Sequence, residues 1–254
     1  KFAMGGTSNG HVVKYVQFLG RGAHAGSAPH RGVNALNAAT FALQAINANR
    51  ELYQEEDTVR IHGIMTKGGE AVSAVPAEVK LEWRVRSGTP DAVVRNSAIV
   101  DRCFKAGAMA VGASVKITNI PGYLPMRHDN TLQELFRKNA TALLGESSIL
   151  VMSPRRNRGG STDMGDLSHV IPACHPYTSG AVGAGHSKDY VITDYQTAVV
   201  NPAKIMAMTV IDLLADGGAT GKEVLNRHRP AMNKDAYVKF QREQAEIVEF
   251  SGGD

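Results

Sequence analysis

Apolar and polar positions follow one another with unusual regularity from residue 11 onward. "HVVKYVQFLG" (11–20) is β-branched and aromatic and stops at a glycine, which predicts a strand. "NALNAATFALQAINANRELY" (34–53) sets its alanines and leucines at helical spacing, which predicts a helix. "TVRIHGIMTKGG" (58–69) places Val59, Ile61 and Ile64 among polar residues and breaks at Gly68-Gly69, a second strand. "EVKLEWRVRSG" (78–88) alternates strictly: Val79, Leu81, Trp83 and Val85 share one face, and Lys80, Glu82, Arg84 and Arg86 the other. "TPDAVVRNSAIVDRCFKAGAMAVGA" (89–113) opens with threonine at the cap and proline at the first helical position. "SVKITNIPGY" (114–123) closes the series as a strand. The order is βαββαβ, a ferredoxin-like split βαβ unit.

Beyond Gly122 the pattern changes. "NTLQELFRKNATALLG" (130–145) reads as a helix with a glycine stop, and "SSILVMS" (147–153) as a short strand. A polar stretch over 154–169 precedes "VIPACHPYT" (170–178), which reads as a buried strand. "QTAVVNPAKIMAMTVIDLLAD" (196–216) predicts a long helix that Pro202 would kink or delay. The tail, 219–249, reads as charged and helical. Two short strands and several helices do not make a self-sufficient domain, so this part is expected to complete a sheet supplied by other residues.

Composition narrows the function classes. The chain has 254 residues, of which 43% are hydrophobic and 20% charged, within the soluble globular range and ample for a buried core. Net charge is +4, and only "PRRNRG" (154–159) concentrates positive charge; it reads as a solvated loop, with an anion site as the alternative. A polynucleotide binder would show a basic stripe or interleaved aromatics, so no nucleic-acid partner is expected. No apolar run approaching the ~18 residues of a membrane span stands out, so no membrane partner is expected either. The opening "KFAMGGTSNGH" has neither an apolar signal core nor a cleavage pattern. Cys103 and Cys174, far apart in sequence, give no disulfide framework and suit a reducing cytoplasm.

The chemistry concentrates in "GGSTDMGDLSHVIPACHPYTSGAVGAGHSKDY" (159–190), where histidines, aspartates and a cysteine sit among glycines. That composition belongs to a metal or acid–base site. No second cluster of like density supplies further ligands.

Four motifs carry a resemblance: "GRGAHAGSAPHRGVNAL" (20–36), "IMTKGGEAVSAVPAEVKLEWRVRS" (64–87), "STDMGDLSHVIPACHPY" and "GHSKDY". In this order they resemble the metal-dependent aminoacylase and carboxypeptidase superfamily. The match is to its amidohydrolase branch, with p-aminobenzoyl-glutamate hydrolase and the β-alanyl dipeptide hydrolases, over about residues 12 to 235. The resemblance implies an α/β catalytic domain interrupted by a ferredoxin-like lid. Residues 11–123 would be the lid and dimerisation domain, and 1–10 and 124–254 incomplete parts of the catalytic domain. Most metal ligands and the general-base glutamate would lie in an N-terminal half that this chain does not contain.

Residue by residue, the resemblance implies that His186 is a ligand of a divalent pair, zinc or manganese, and that His24 donates to the oxyanion in a partner protomer's site. Arg86 would bind the substrate carboxylate, though it also reads as a solvated arginine on the polar face beside Glu82 and Arg84; many relatives carry asparagine where this chain has Ser73, a shorter side chain without an amide. Ser161, Thr162 and Asp163 would line the active-site floor, though a glycine pair followed by these residues also reads as a helix cap. Asp166, His169 and His175 read as structural, Cys174 as a small core residue, and His30 either as lining the lid or as part of a turn. The expected activity is hydrolysis of the amide of an N-acyl amino acid or small dipeptide by a homodimer, inactive as this chain alone. The rival expectation is a dimerisation module without catalysis.

Overall fold

A computed structural model describes residues 1–253. In chain order it contains β1 (Phe2–Thr7), β2 (Gly10–Leu19), α1 (Ala35–Ala48), β3 (Arg60–Lys67), β4 (Glu78–Ser87), α2 (Pro90–Met109), β5 (Ser114–Pro121) and α3 (Asn130–Leu144). Then follow β6 (Ile149–Asn157), α4 (Met164–Ser168), β7 (Tyr177–Thr178), β8 (Ala181–Val182), β9 (Val191–Ile192), α5 (Asn201–Arg227), α6 (Lys234–Glu243) and β10 (Ile247–Ser251). The chain forms two compact units. One holds residues 8–125, 159–162 and the chain from Asp235 onward; the other holds 1–7, 126–158 and 163–234.

The first unit is the βαββαβ fold with one strand added. Its antiparallel sheet runs β10-β5-β2-β4-β3, with β3 at an edge. The strict alternation of β4 does what its pattern requires: Val79, Leu81 and Val85 are buried, while Lys80, Glu82 and Arg84 face water. They pack with Val12, Val16, Phe18, Val115 and Ile117 against α1 and α2. Asn34 caps α1 by accepting from the Leu36 and Asn37 amides, and Thr89 caps α2 by accepting from Ala92. The two helices approach closely because α1 offers alanines and α2 offers Gly107, where a Cβ would stand 2.3 Å from the Ala38 carbonyl oxygen.

The fifth strand corrects the helical reading of the tail. Only 219–227 and 234–243 are helical; β10 pairs antiparallel with β5, matching Val248 to Ile117 and Phe250 to Val115. Val248 and Phe250 pack onto the core on one face, so "IVEFS" is an alternating strand too short to stand out beside charged neighbours.

The second unit is built on a three-stranded sheet, β6-β1-β7, with β1 parallel to β6 and antiparallel to β7. Phe2, Met4, Phe136, Ala140 and Ile205 form its core. β1 is invisible to alternation because Gly5 and Gly6 both sit at positive φ and shift its register against β6. A Cβ on Gly5 would meet the Met152 carbonyl oxygen at 2.8 Å.

Three further expectations change here. The strand expected over 170–178 reduces to Tyr177–Thr178, since Pro172 and Pro176 bring no ladder donors. "PRRN" is the end of β6 rather than a loop, and Arg158 lies over the Tyr177 ring at 3.8 Å. The expected long helix opens with a π-helical turn, Gln196–Val200, and Pro202 falls in the first turn of α5, where its missing N–H is harmless. It then runs past 216 to Arg227, through a break at Ala215–Gly218.

Gln196–Arg227 is also long and apolar enough, by length and composition, to cross a membrane, although no such run was expected. Its alanines, methionines and branched residues carry few charges. The same helix contributes Ile205 to the unit's core.

Candidate functional site

The first unit presents two clusters. In the first, the stretch after β2 is laced to the stretch before β4. The Gly20 amide donates to Ala77, and Arg21 and Val33 exchange both backbone bonds at 2.9 and 2.8 Å. Gly20 has no room for a side chain: a Cβ would lie 2.0 Å from the Val33 oxygen. Val75 donates to the Ala23 carbonyl and Ala25 to the Ser73 carbonyl, each at 2.8 Å, so His24 stands opposite Ala74, with Ser73 the next residue along, and both His24 and Ser73 are exposed.

His24 has a defined tautomer. Its Nδ1 accepts from the backbone amides of Gly26 and Ser27, both at 3.1 Å. A nitrogen that accepts two N–H groups carries no proton, so Nε2 is the donating nitrogen. Gly26 lies close under the ring, where a Cβ would stand 3.5 Å from Cε1.

The second cluster lies on the open face of the sheet. Arg86 on β4 donates from Nη1 to Ser161 Oγ at 2.9 Å and from Nε to His62 Nε2 at 3.2 Å. It stands opposite His11 on β2 and Arg60 on β3, and Arg84 stands opposite His62. Burial, then the neighbouring Arg84, draw the Arg86 guanidinium below its ordinary value. Burial, then Arg84, Arg86 and His62, lower His11 to about 4. The His11 ring lies edge-on to Tyr123 with Nδ1 buried and unpartnered, and a Cβ on Gly122 would come within 2.4 Å of it.

Sequence reasoning brought Arg86 and Ser161 forward, and the structure joins them. It missed His11 and His62, whose signal was their phase: cross-strand register places both beside Arg86. Thr162 follows Ser161, half-buried. Ser73 belongs to the other cluster, with His24. The Asp163 side chain makes no capping bond to α4.

In the second unit His186 sits exposed at the tip of the β8–β9 hairpin at φ +64, one of three non-glycine residues with positive φ among those described. The hairpin needs Gly183, whose Cβ would lie 2.3 Å from the Asp189 oxygen. Among the described residues no group of three or more His, Cys, Asp or Glu is arranged to hold a metal ion. His186 offers one imidazole, so the residues present do not by themselves fit a metal pair.

The other singled-out residues lie apart from these clusters. His169 is buried, and its carbonyl accepts from the Met232 amide at 3.0 Å. The Asp166 amide donates to the Asp163 carbonyl. The His175 ring packs on Tyr177 at 4.9 Å, and its amide donates to His128 Nδ1. Cys174 lies against the core, its thiol pushed up to about 11 by burial and then Asp129. His30 lies in the short 3₁₀ turn Pro29–Arg31. A cavity of about 510 Å³ opens beside Cys174, lined by Phe2, Phe136, His175, Met206 and Val210 among others.

Comparison with known proteins places this geometry. Residues 5–106 match the peptidase dimerisation domain of the M20 family. By this match the first unit is similar to the dimerisation domain of M20 peptidases. It is 29% identical to the Xaa-Arg dipeptidase of Mus musculus over 209 residues, which is 78% of this chain and 47% of that protein. With the Homo sapiens Xaa-Arg dipeptidase it shares 29% over 235 residues, 90% of this chain and 51% of the other. The chain thus spans about half the length of these curated relatives.

Among solved structures, the aminopeptidase PepT of Bacillus cereus superposes with a TM-score of 0.61 at 19% identity, covering 82% of this chain and 53% of that one. The aminobenzoyl-glutamate utilization protein of Klebsiella pneumoniae does so with 0.52 at 20%, covering 66% and 42%. These likenesses show the α/β fold.

Proposed function

We propose that this chain is part of an M20-type metal-dependent hydrolase that cleaves the amide of an N-acyl amino acid or small dipeptide. The observation that carries the reading is His24: an exposed imidazole whose tautomer is fixed by two backbone amides, leaving Nε2–H as a donor. A tetrahedral oxyanion needs a prepositioned neutral donor of this kind. Among the described residues Arg86 has no ion-pair partner, and its guanidinium is suited to the carboxylate that such substrates carry. Ser161 accepts from it at 2.9 Å.

The metal pair would draw on residues outside this chain, with His186 as one ligand. The exposed apolar residues Leu150, Val151, Met206, Val210 and Leu214 of the second unit are the surface on which that remaining polypeptide would pack. On this reading the chain is inactive alone. The open edge of β3 supports a homodimer made through the dimerisation domain. Two unpaired cysteines support a cytoplasmic location.

The test is assay of the chain completed with the N-terminal catalytic half of an M20 relative, on p-aminobenzoyl-glutamate, β-alanyl dipeptides and Xaa-Arg dipeptides. Hydrolysis that requires both parts is expected. A folded, metal-loaded assembly that cleaves none of these would overturn the reading.

A further inference from the structure

Arg86 has one partner that the reading of its carboxylate site does not use. His62, on the edge strand β3, accepts from Arg86 Nε through Nε2 at 3.2 Å. An accepting Nε2 means a neutral ring protonated at Nδ1. The surroundings favour that state, since the groups facing His62 are basic. From β4 these are Arg84, directly opposite, and Arg86; from β2, beyond β4, His11 stands in the row of Arg86; on its own strand Arg60 lies two residues away. Glu82 lies opposite Ile64 rather than opposite His62.

We propose that His62 is a positioning residue for Arg86, fixing the guanidinium as a neutral acceptor and releasing it on protonation. A proton on Nε2 removes the only acceptor the ring offers there and sets a cation beside Arg86 and Arg84. The hydrogen bond then becomes a like-charge contact, and the guanidinium is left with Ser161 alone. Partial burial, then Arg86 and Arg84, lower the His62 pKa, so the neutral acceptor dominates at neutral pH and is lost as pH falls. Capture of a substrate carboxylate would weaken in acid for that reason. This consequence rests on the proposed function, whereas the coupling of the two side chains does not.

The coupling can be read in the chain as it stands, by nuclear magnetic resonance of the Arg86 Nε–H and the His62 ring across the acid range. At pH 7.5, His62→Leu should speed exchange of that proton about fivefold, the protection one ordinary hydrogen bond gives. In wild type the protection should vanish with the titration of His62 itself. His62→Gln, which can accept but cannot titrate, should keep it at every pH. Because His62 is exposed, both variants should fold, which the remaining amide signals will show.

If His62→Leu leaves Arg86 exchange unchanged, or if His62→Gln fails to rescue it, the positioning role is wrong. Titration with N-acetylglycine separates the two readings. A coupled pair at which Arg86 does not respond to this carboxylate would overturn the substrate reading and leave the positioning role standing.

Discussion

Lys14 donates to Asp101 at 2.6 Å with its ammonium wholly out of water, where β2 meets α2. Ser97 at 2.7 Å and Asn119 at 2.8 Å complete its three acceptors. Burial draws the Lys14 pKa down, and Asp101 opposes that. Removing the carboxylate strands a buried charge, so Asp101→Ala should destabilise the first unit by about 3–5 kcal/mol. Lys14→Met removes the charge and keeps the volume, and should cost less, about 1–2 kcal/mol. Urea unfolding of the two variants checks the order; equal losses would show that the ion pair is not what matters.

That lysine also marks how far the sequence could be read. It stands in phase with Val12, Val16 and Phe18, so alternation alone placed it inside, where a lysine looks like an error until Asp101 and Asn119 arrive from distant elements. The βαββαβ unit was legible because each element signals locally, through the alternation of β4 and the caps Asn34 and Thr89. β1 and β10 were not. One is broken by Gly5 and Gly6, the other is five residues long, and both exist through partners far away in sequence.

The candidate site divides in the same way. Motif residues His24, Arg86 and Ser161 stood out, but the fixed tautomer of His24 and the flanking of Arg86 by His62 and His11 follow from loop geometry and strand register. Neither is written in a local pattern.

The edge of β3 leads to a second prediction. Its backbone groups on the outer side have no neighbouring strand in the sheet order, and Ile64 on that strand is 62% exposed. Light scattering should show dimers that dissociate on dilution, and Ile64→Lys should weaken them by placing two like charges across the symmetric contact. A wild-type chain that stays monomeric at every concentration would contradict this.

His11 gives a third. Its folded pKa of about 4 lies below the ordinary 6.5, so the unfolded chain binds the proton more readily between those values. The stability it contributes is complete above about pH 6.5 and is lost as pH falls toward 4. Allowing for its partial solvation, the loss should be on the order of 1–2 kcal/mol. His128, lowered to about 4 by burial and then by His175 and Arg158, acts in the same direction in the second unit. Thermal unfolding of wild type and His11→Asn across this range checks it: the variant should show the shallower acid decline.

The metal reading can be tested on the chain alone. One exposed imidazole, His186, cannot supply the four ligands of a tight zinc site. Elemental analysis after dialysis should find far less than one zinc or manganese per chain. One or two tightly held ions would mean that this chain carries a ligand set of its own.

The last prediction concerns His24 in the completed enzyme. If its Nε2–H meets the oxyanion, His24→Ala should lower kcat by roughly two to three orders of magnitude, the size of one such donor. KM should move little, because the bond is made mainly in the transition state. His186→Ala should lose metal together with activity, which separates a donor from a ligand. The resemblance further assigns the two histidines to the sites of different protomers. Mixing His24→Ala with His186→Ala protomers, each inactive by itself, should therefore restore one working site per heterodimer. That site would join the metal centre left intact in the first variant to the histidine left intact in the second. Heterodimers that form and stay inactive would show that His24 does not serve its partner's site.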